Sequence, residues 1–142
     1  MLPLARVPFI DPAPGSELAP LAARFSGARR GKLINVYRAL LNSPALAESW
    51  FGHINAVRWK TSLDGRLREI VIIRIAYLTK AAYVLEQHVP KLAAADGVSA
   101  EECAALADWQ ASTLFDARVR AVLAYTDAVT REAKAADGPF AA

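Results

Sequence analysis

The chain has two histidines, His53 and His88, and histidine is the side chain that ordinarily titrates near neutrality. His88 lies in Tyr83-Val84-Leu85-Glu86-Gln87-His88-Val89-Pro90, among polar and titratable neighbours. On a helix, Val84 and Ala81 share its face one and two turns back, while Tyr83 and Glu86 or Gln87 occupy an adjacent face. Pro90 cannot donate to the Glu86 carbonyl and crowds it, so a kink within one turn of His88 is expected, with a freed acceptor and room for a small cavity. Glu69 and Arg74 lie in a second stretch of interest, at the edge of and inside the apolar run from Ile70 to Leu78. Charged groups on a buried helix need partners, and burial raises a carboxyl pKa, so Arg74 is expected to pair with Glu69 or with a neighbouring subunit. A histidine and a raised carboxyl give a proton donor and acceptor without metal or cofactor. That chemistry serves decarboxylation, isomerisation, hydration or elimination on a small carbonyl compound.

Helices must position these groups, and the apolar spacing supplies them. A short helix over Leu18 to Phe25 is followed by a glycine-broken loop from Ser26 to Lys32. Leu33 to Leu41 repeats apolar residues at helical spacing, and Asn42-Ser43-Pro44 stops it. Ser43 reads as an N-cap with Pro44 at the first helical position of a helix to about Lys60, burying Leu46, Trp50, Phe51, Ile54 and Val57. Arg66 to Thr79 reads as a central helix covered on most sides. Ala81 to Ala95 follows, ending at Asp96-Gly97, with Gly97 suited to a left-handed cap. Ser99-Ala100-Glu101-Glu102 spells a capping box for a helix to about Trp109. The last helix, Asp116 to Ala133, has Val119, Val122, Leu123, Tyr125, Ala128 and Val129 as its apolar face. Nothing in the pattern calls for a strand.

At 142 residues, 54% hydrophobic and 22% charged, the chain is long enough to bury a core without disulfides. The net charge of +3 is dispersed, with only Arg29, Arg30 and Lys32 clustered, and no basic stripe interleaves with aromatics, which argues against nucleic acid. Cys103 is the only cysteine, which excludes an intrachain disulfide and a cysteine-based zinc site and suggests a reducing cytoplasm. Its Ala-rich setting reads as a buried structural thiol. The first 17 residues, broken by Pro3, Pro8, Pro12 and Pro14, read as an extended arm ahead of one helical domain over residues 18–142. No stretch reaches the ~20 apolar residues that cross a bilayer. Trp50, Trp59 and Trp109 read as anchors of packing or of subunit contacts.

Arg68-Glu69, the apolar helix, Tyr77-Leu78-Thr79, Tyr83, His88-Val89-Pro90 and Gly97 together resemble the carboxymuconolactone decarboxylase and alkylhydroperoxidase D superfamily, over about Phe51 to Leu123. The resemblance implies an all-α, alkylhydroperoxidase D-like domain of about six or seven helices. In the peroxidase branch a Glu and a Cys-x-x-Cys-x-x-x-His relay protons to thiols; here Glu69 and His88 match, while Ala81 and Val84 stand at the cysteine positions. Neither can act as the sulfur nucleophile. In the decarboxylase branch a Glu commonly stands where Val84 is, beside a Tyr like Tyr83. Glu86 is two residues away, a turn of about 200°, so it does not simply replace that carboxylate.

The residues that remain are Glu69, Tyr83 and His88 as catalytic candidates, with Glu86, Arg74 and His53 as substrate-binding candidates and no metal or cofactor expected. A lone helical histidine is commonly a structural, hydrogen-bonded group; the joint match with Glu69 and Tyr83 is what favours a site. The expected activity is that of a lyase or isomerase on a small organic carbonyl or lactone. A non-catalytic ligand-binding or interaction protein on the same scaffold is the alternative, and hydroperoxide reduction is less favoured. Relatives assemble as dimers, trimers or hexamers, which implies a homo-oligomer. They also continue for one or two helices past the point matching Gly138-Pro139-Phe140, so the chain reads as a truncated form.

Overall fold

A computed structural model describes residues 6–29 and 31–133. Arg30 of the basic cluster, the start of the arm and the Gly138-Pro139-Phe140 end lie outside the described residues. The chain divides into two compact units, Met1–Thr61 and Ser62–Ala142. Among the described residues every regular element is helical, and no helix is long and apolar enough to cross a membrane.

The first unit contains α1 (Ala19–Gly27), α2 (Asn35–Leu40) and α3 (Pro44–Trp59). Its core is aromatic: Phe25 stacks on Tyr37 at 4.7 Å between ring centres, and Phe51 closes against both. The Arg29 guanidinium donates to the Tyr37 hydroxyl and to Asn55 while lying over the Tyr37 and Phe51 rings, covering the edge of that cluster. The N-terminal segment is tied down, with the Ile10 amide donating to the Arg38 carbonyl and the Arg38 guanidinium donating to both oxygens of Asp11. Two expectations for α3 are corrected. Ser43 holds the N-cap position without a side-chain hydrogen bond, and only Phe51 of the five expected apolar residues is buried, together with Ala47. Leu46 and Val57 are exposed, because an apolar stripe wider than the available partner surface leaves its outer edge in solvent.

The second unit is built on α4 (Gly65–Thr79), followed by α5 (Ala82–Gln87), a π-helical turn (His88–Leu92), α6 (Ala93–Ala95), α7 (Ala100–Ala105), a 3₁₀ helix (Leu106–Ala111) and α8 (Ala117–Glu132). Asp64 caps α4 through the Leu67 amide, and Asp116 caps α8 through Val119. The Ser99–Glu102 capping box is present, and Gly97 adopts the left-handed conformation at φ 79°. The Arg66 guanidinium, at the start of α4, donates to Glu102 and to the Gly97 carbonyl, which pins the two helix starts together. Leu67, Ile70, Ile73, Val98, Leu106 and Leu123 form the centre of the core.

The kink expected at Pro90 is instead a widened turn. The Ala93 amide reaches back to the His88 carbonyl, five residues away, so the helix passes the proline by inserting one residue into the turn. The helix expected to run on to Trp109 changes to 3₁₀ form at Leu106 and leaves helical geometry at Asp108. Lys80 ends α4 in the left-handed region at φ 55°. A side chain there is strained, so Lys80→Gly is expected to raise stability by about 1 kcal/mol in urea unfolding.

Candidate active site

Glu69 faces the interior from α4 because it shares a stripe with Ile73 and Ala76, at spacings of one and two turns, and all three are buried. His88 begins the π turn that follows α5. The structure brings these two together: His88 Nδ1 lies 2.6 Å from Glu69 Oε2. The Glu69 side chain is fully buried and that of His88 is 12% exposed. An ionised carboxylate can only accept, so with Glu69 in that form Nδ1 donates and Nε2 is the nitrogen available to any other partner. The pair meets directly instead of facing across a gap.

Arg74 does not pair with Glu69. Five residues along a helix turn a side chain by about 140°, so the two leave α4 in different directions. Arg74 instead donates from Nε and Nη2 to the two oxygens of Asp127 at 2.6 and 2.7 Å, and from Nη1 to the carbonyls of Leu106 and Ala107. The Trp109 indole adds a longer bond to Asp127 at 3.3 Å. The guanidinium thereby ties α4, the 3₁₀ helix and α8 into one buried network. Asp127 was absent from the sequence-based candidates, although it continues the spacing of Val119 and Leu123 by one further turn, which places a carboxylate on the buried side of α8.

Tyr83 and Glu86 are exposed on α5, and Tyr83 stands about 140° round the helix from His88. His53 is exposed on α3, in the first unit. An apolar groove of about 770 Å³ runs between α4 and α8, bordered by Val71, Ile75, Tyr125 and Val129; neither Glu69 nor His88 is part of its lining. Among the described residues no group of three or more His, Cys, Asp or Glu side chains is placed to hold a metal ion.

Cys103 is buried in the core around α4 and α7, and that burial, reinforced by the charges of Glu102 and Glu69, pushes its thiol pKa up. A thiol held in its protonated form is a poor nucleophile. Native protein is therefore expected to resist a water-soluble thiol reagent that labels the chain fully in denaturant; rapid labelling of the native form would show a reactive cysteine.

The model of the carboxymuconolactone decarboxylase family matches residues 44–128. No curated protein and no solved structure matched the chain.

Proposed function

Because the chain belongs to the carboxymuconolactone decarboxylase family, we propose that it performs cofactor-independent acid–base chemistry, of lyase or isomerase type, on a small organic carbonyl compound or lactone. The family holds decarboxylases and peroxidase-like members. What tells against the second is the lack of a reactive thiol: Ala81 and Val84 stand where the peroxidase pattern has its cysteines, and the one cysteine is buried with its thiol pKa raised, while the 2.6 Å contact between His88 Nδ1 and a fully buried Glu69 supplies an acid–base pair.

In this reading the Glu69 carboxylate accepts the Nδ1 proton, fixes the ring orientation and leaves Nε2 as the base. Nε2 takes a proton from carbon next to the substrate carbonyl, or from an attacking or leaving oxygen, and the carboxylate stabilises the imidazolium so formed. The same nitrogen then returns the proton to product. Glu69 acts through His88 and is a positioning residue. Tyr83 and Glu86, exposed on α5 and turned about 140° and 200° round the helix from His88, are left out of the proposed site. Arg74 has its guanidinium committed to Asp127 and two carbonyls and is left out of the proposed site.

The rival reading, a non-catalytic protein on this scaffold, draws on the same burial: a nearly enclosed His–Glu pair also serves as a structural tie between α4 and the π turn. A panel of small lactones and carbonyl acids, assayed with wild type, His88→Ala and Glu69→Gln, separates the two. The catalytic reading requires turnover that His88→Ala removes and Glu69→Gln lowers while the helical spectrum stays unchanged. Turnover indifferent to both, or unfolding by both with no turnover in the wild type, makes the pair structural.

A further inference from the structure

Five residues separate His88 from Ala93, and in an unbroken α-helix that spacing turns two side chains about 140° apart. Both nevertheless face α4. His88 meets Glu69 at 2.6 Å, and Ala93 is fully buried in the core that contains Leu67, Ile70 and Ile73 of that helix. The π turn reconciles them. Its ring closes from the Ala93 amide to the His88 carbonyl, so the fifth residue stands where the fourth stands in an α-turn.

The two sides of this turn are held unequally. Upstream, no residue of α5 is buried. Downstream, the Val98 amide donates to the Ala93 carbonyl at 2.9 Å, Asp96 accepts from Arg68, and the Arg66 guanidinium donates to the Gly97 carbonyl. If the turn narrowed to α form, Ala93 would therefore stay and α5 would rotate by one residue's step, about 100°. Val89, four residues before Ala93, would then stand opposite the Glu69 carboxylate in place of His88, with no nitrogen to offer it.

Pro90 is what keeps the turn wide. It has no N–H for the Glu86 carbonyl, and in α form its ring crowds that oxygen, whereas one extra residue in the turn relieves both conflicts. Its side chain is exposed, so it acts on the backbone and not through core packing. We propose that Pro90 is a positioning residue: the widened turn it holds sets the rotation of α5 that aims His88 Nδ1 at Glu69. Its part in the chemistry acts through His88 and rests on the function proposed above; its part in the geometry does not.

Nitrogen-15 NMR of the full chain labelled at histidine tests this, with helicity checked in every variant. His53, exposed on α3, is the internal reference. In the wild type His88 is expected to carry a proton on Nδ1 that exchanges slowly with water. Pro90→Ala keeps the length, restores the N–H and lets the turn narrow. The slow proton is then expected to be lost, and turnover of a responsive carbonyl substrate to fall by roughly 10²-fold. Deleting Pro90 shortens the turn to α form but leaves His88 and Ala93 four positions apart on one face, so the slow proton is expected to survive. A residue needed only for stability would give the reverse order, with deletion the harsher change. A wild type without the slow proton overturns the proposal, as do its persistence in Pro90→Ala and its loss, or unfolding, on deletion. The signal is read without substrate, so a wild type that turns over nothing counts against the proposed function and not against this role of Pro90.

Discussion

Replacing Asp127 by alanine is expected to destabilise the second unit by about 3–5 kcal/mol, a large part of the stability of a domain this size. The size of the effect comes from what is left behind. Arg74 is 3% exposed, its Nε and Nη2 both donate to the lost carboxylate, and the Trp109 indole loses its acceptor as well. A buried guanidinium with only the Leu106 and Ala107 carbonyls has no opposing charge. Urea unfolding followed by helical signal measures the loss. Removing both charges together, as Arg74→Met with Asp127→Leu, is expected to cost far less, since two apolar side chains of similar volume carry no unpaired charge.

The same pair gives a pH dependence with a defined sign. Burial raises the Asp127 carboxyl, but the hydrogen bonds from Arg74 and Trp109 and the charges of Arg74 and Arg131 outweigh it, so the folded-state pKa lies below the ordinary 3.8. A depressed carboxyl pKa contributes stability above the unfolded value and loses it as pH falls through the folded one. The stability gap between wild type and Asp127→Ala is therefore expected to be level near neutrality and to shrink below about pH 4. A gap that widens in acid would contradict the pairing.

The second large effect concerns His88. Its replacement by alanine is expected to lower turnover of a responsive carbonyl substrate by about 10²–10⁴-fold, the range for removing a general acid–base group. Glu69→Gln is expected to fall short of that. A glutamine can still accept the Nδ1 proton through its amide oxygen, so ring orientation survives while the charge that stabilises the imidazolium is lost. Steady-state rates with the alanine, glutamine and wild-type proteins check the order. A glutamine variant worse than the alanine one would mean that an unpaired, misoriented ring is more harmful than none.

Local signals in the sequence carried most of the second unit. The Ser99–Glu102 capping box and the left-handed Gly97 depend on residues within a few positions of each other, and both formed as their types dictate. Asp64 and Asp116, each just ahead of an apolar helix, capped their helices through the same short-range chemistry. Pro90 signalled a disturbance, yet whether a helix kinks or widens by one residue depends on what holds it downstream, here the fully buried Ala93.

Partners distant in sequence were less legible. Arg74 and Asp127 are 53 positions apart, and only the side-by-side packing of α4 and α8 joins them. Periodicity marked Tyr125 and Val129 as apolar without saying which part of a broad stripe faces the core; α8 buries Val119, Leu123, Thr126 and Asp127 and turns Tyr125 and Val129 outward. The meeting of Glu69 with His88 rested on the family pattern for its expectation, since nothing in the spacing across two helices sets a distance.

Proton transfer at His88 without a thiol is tested most directly by deuterium exchange. Small ketones, carbonyl acids and lactones incubated in D₂O with the full chain, and followed by proton NMR, report removal of a proton beside the carbonyl whether or not net turnover occurs. Exchange above the buffer rate is predicted for wild type and Cys103→Ser alike, and its loss is predicted in a folded His88→Ala. Exchange that persists without the imidazole, or that disappears with the cysteine, would contradict the account.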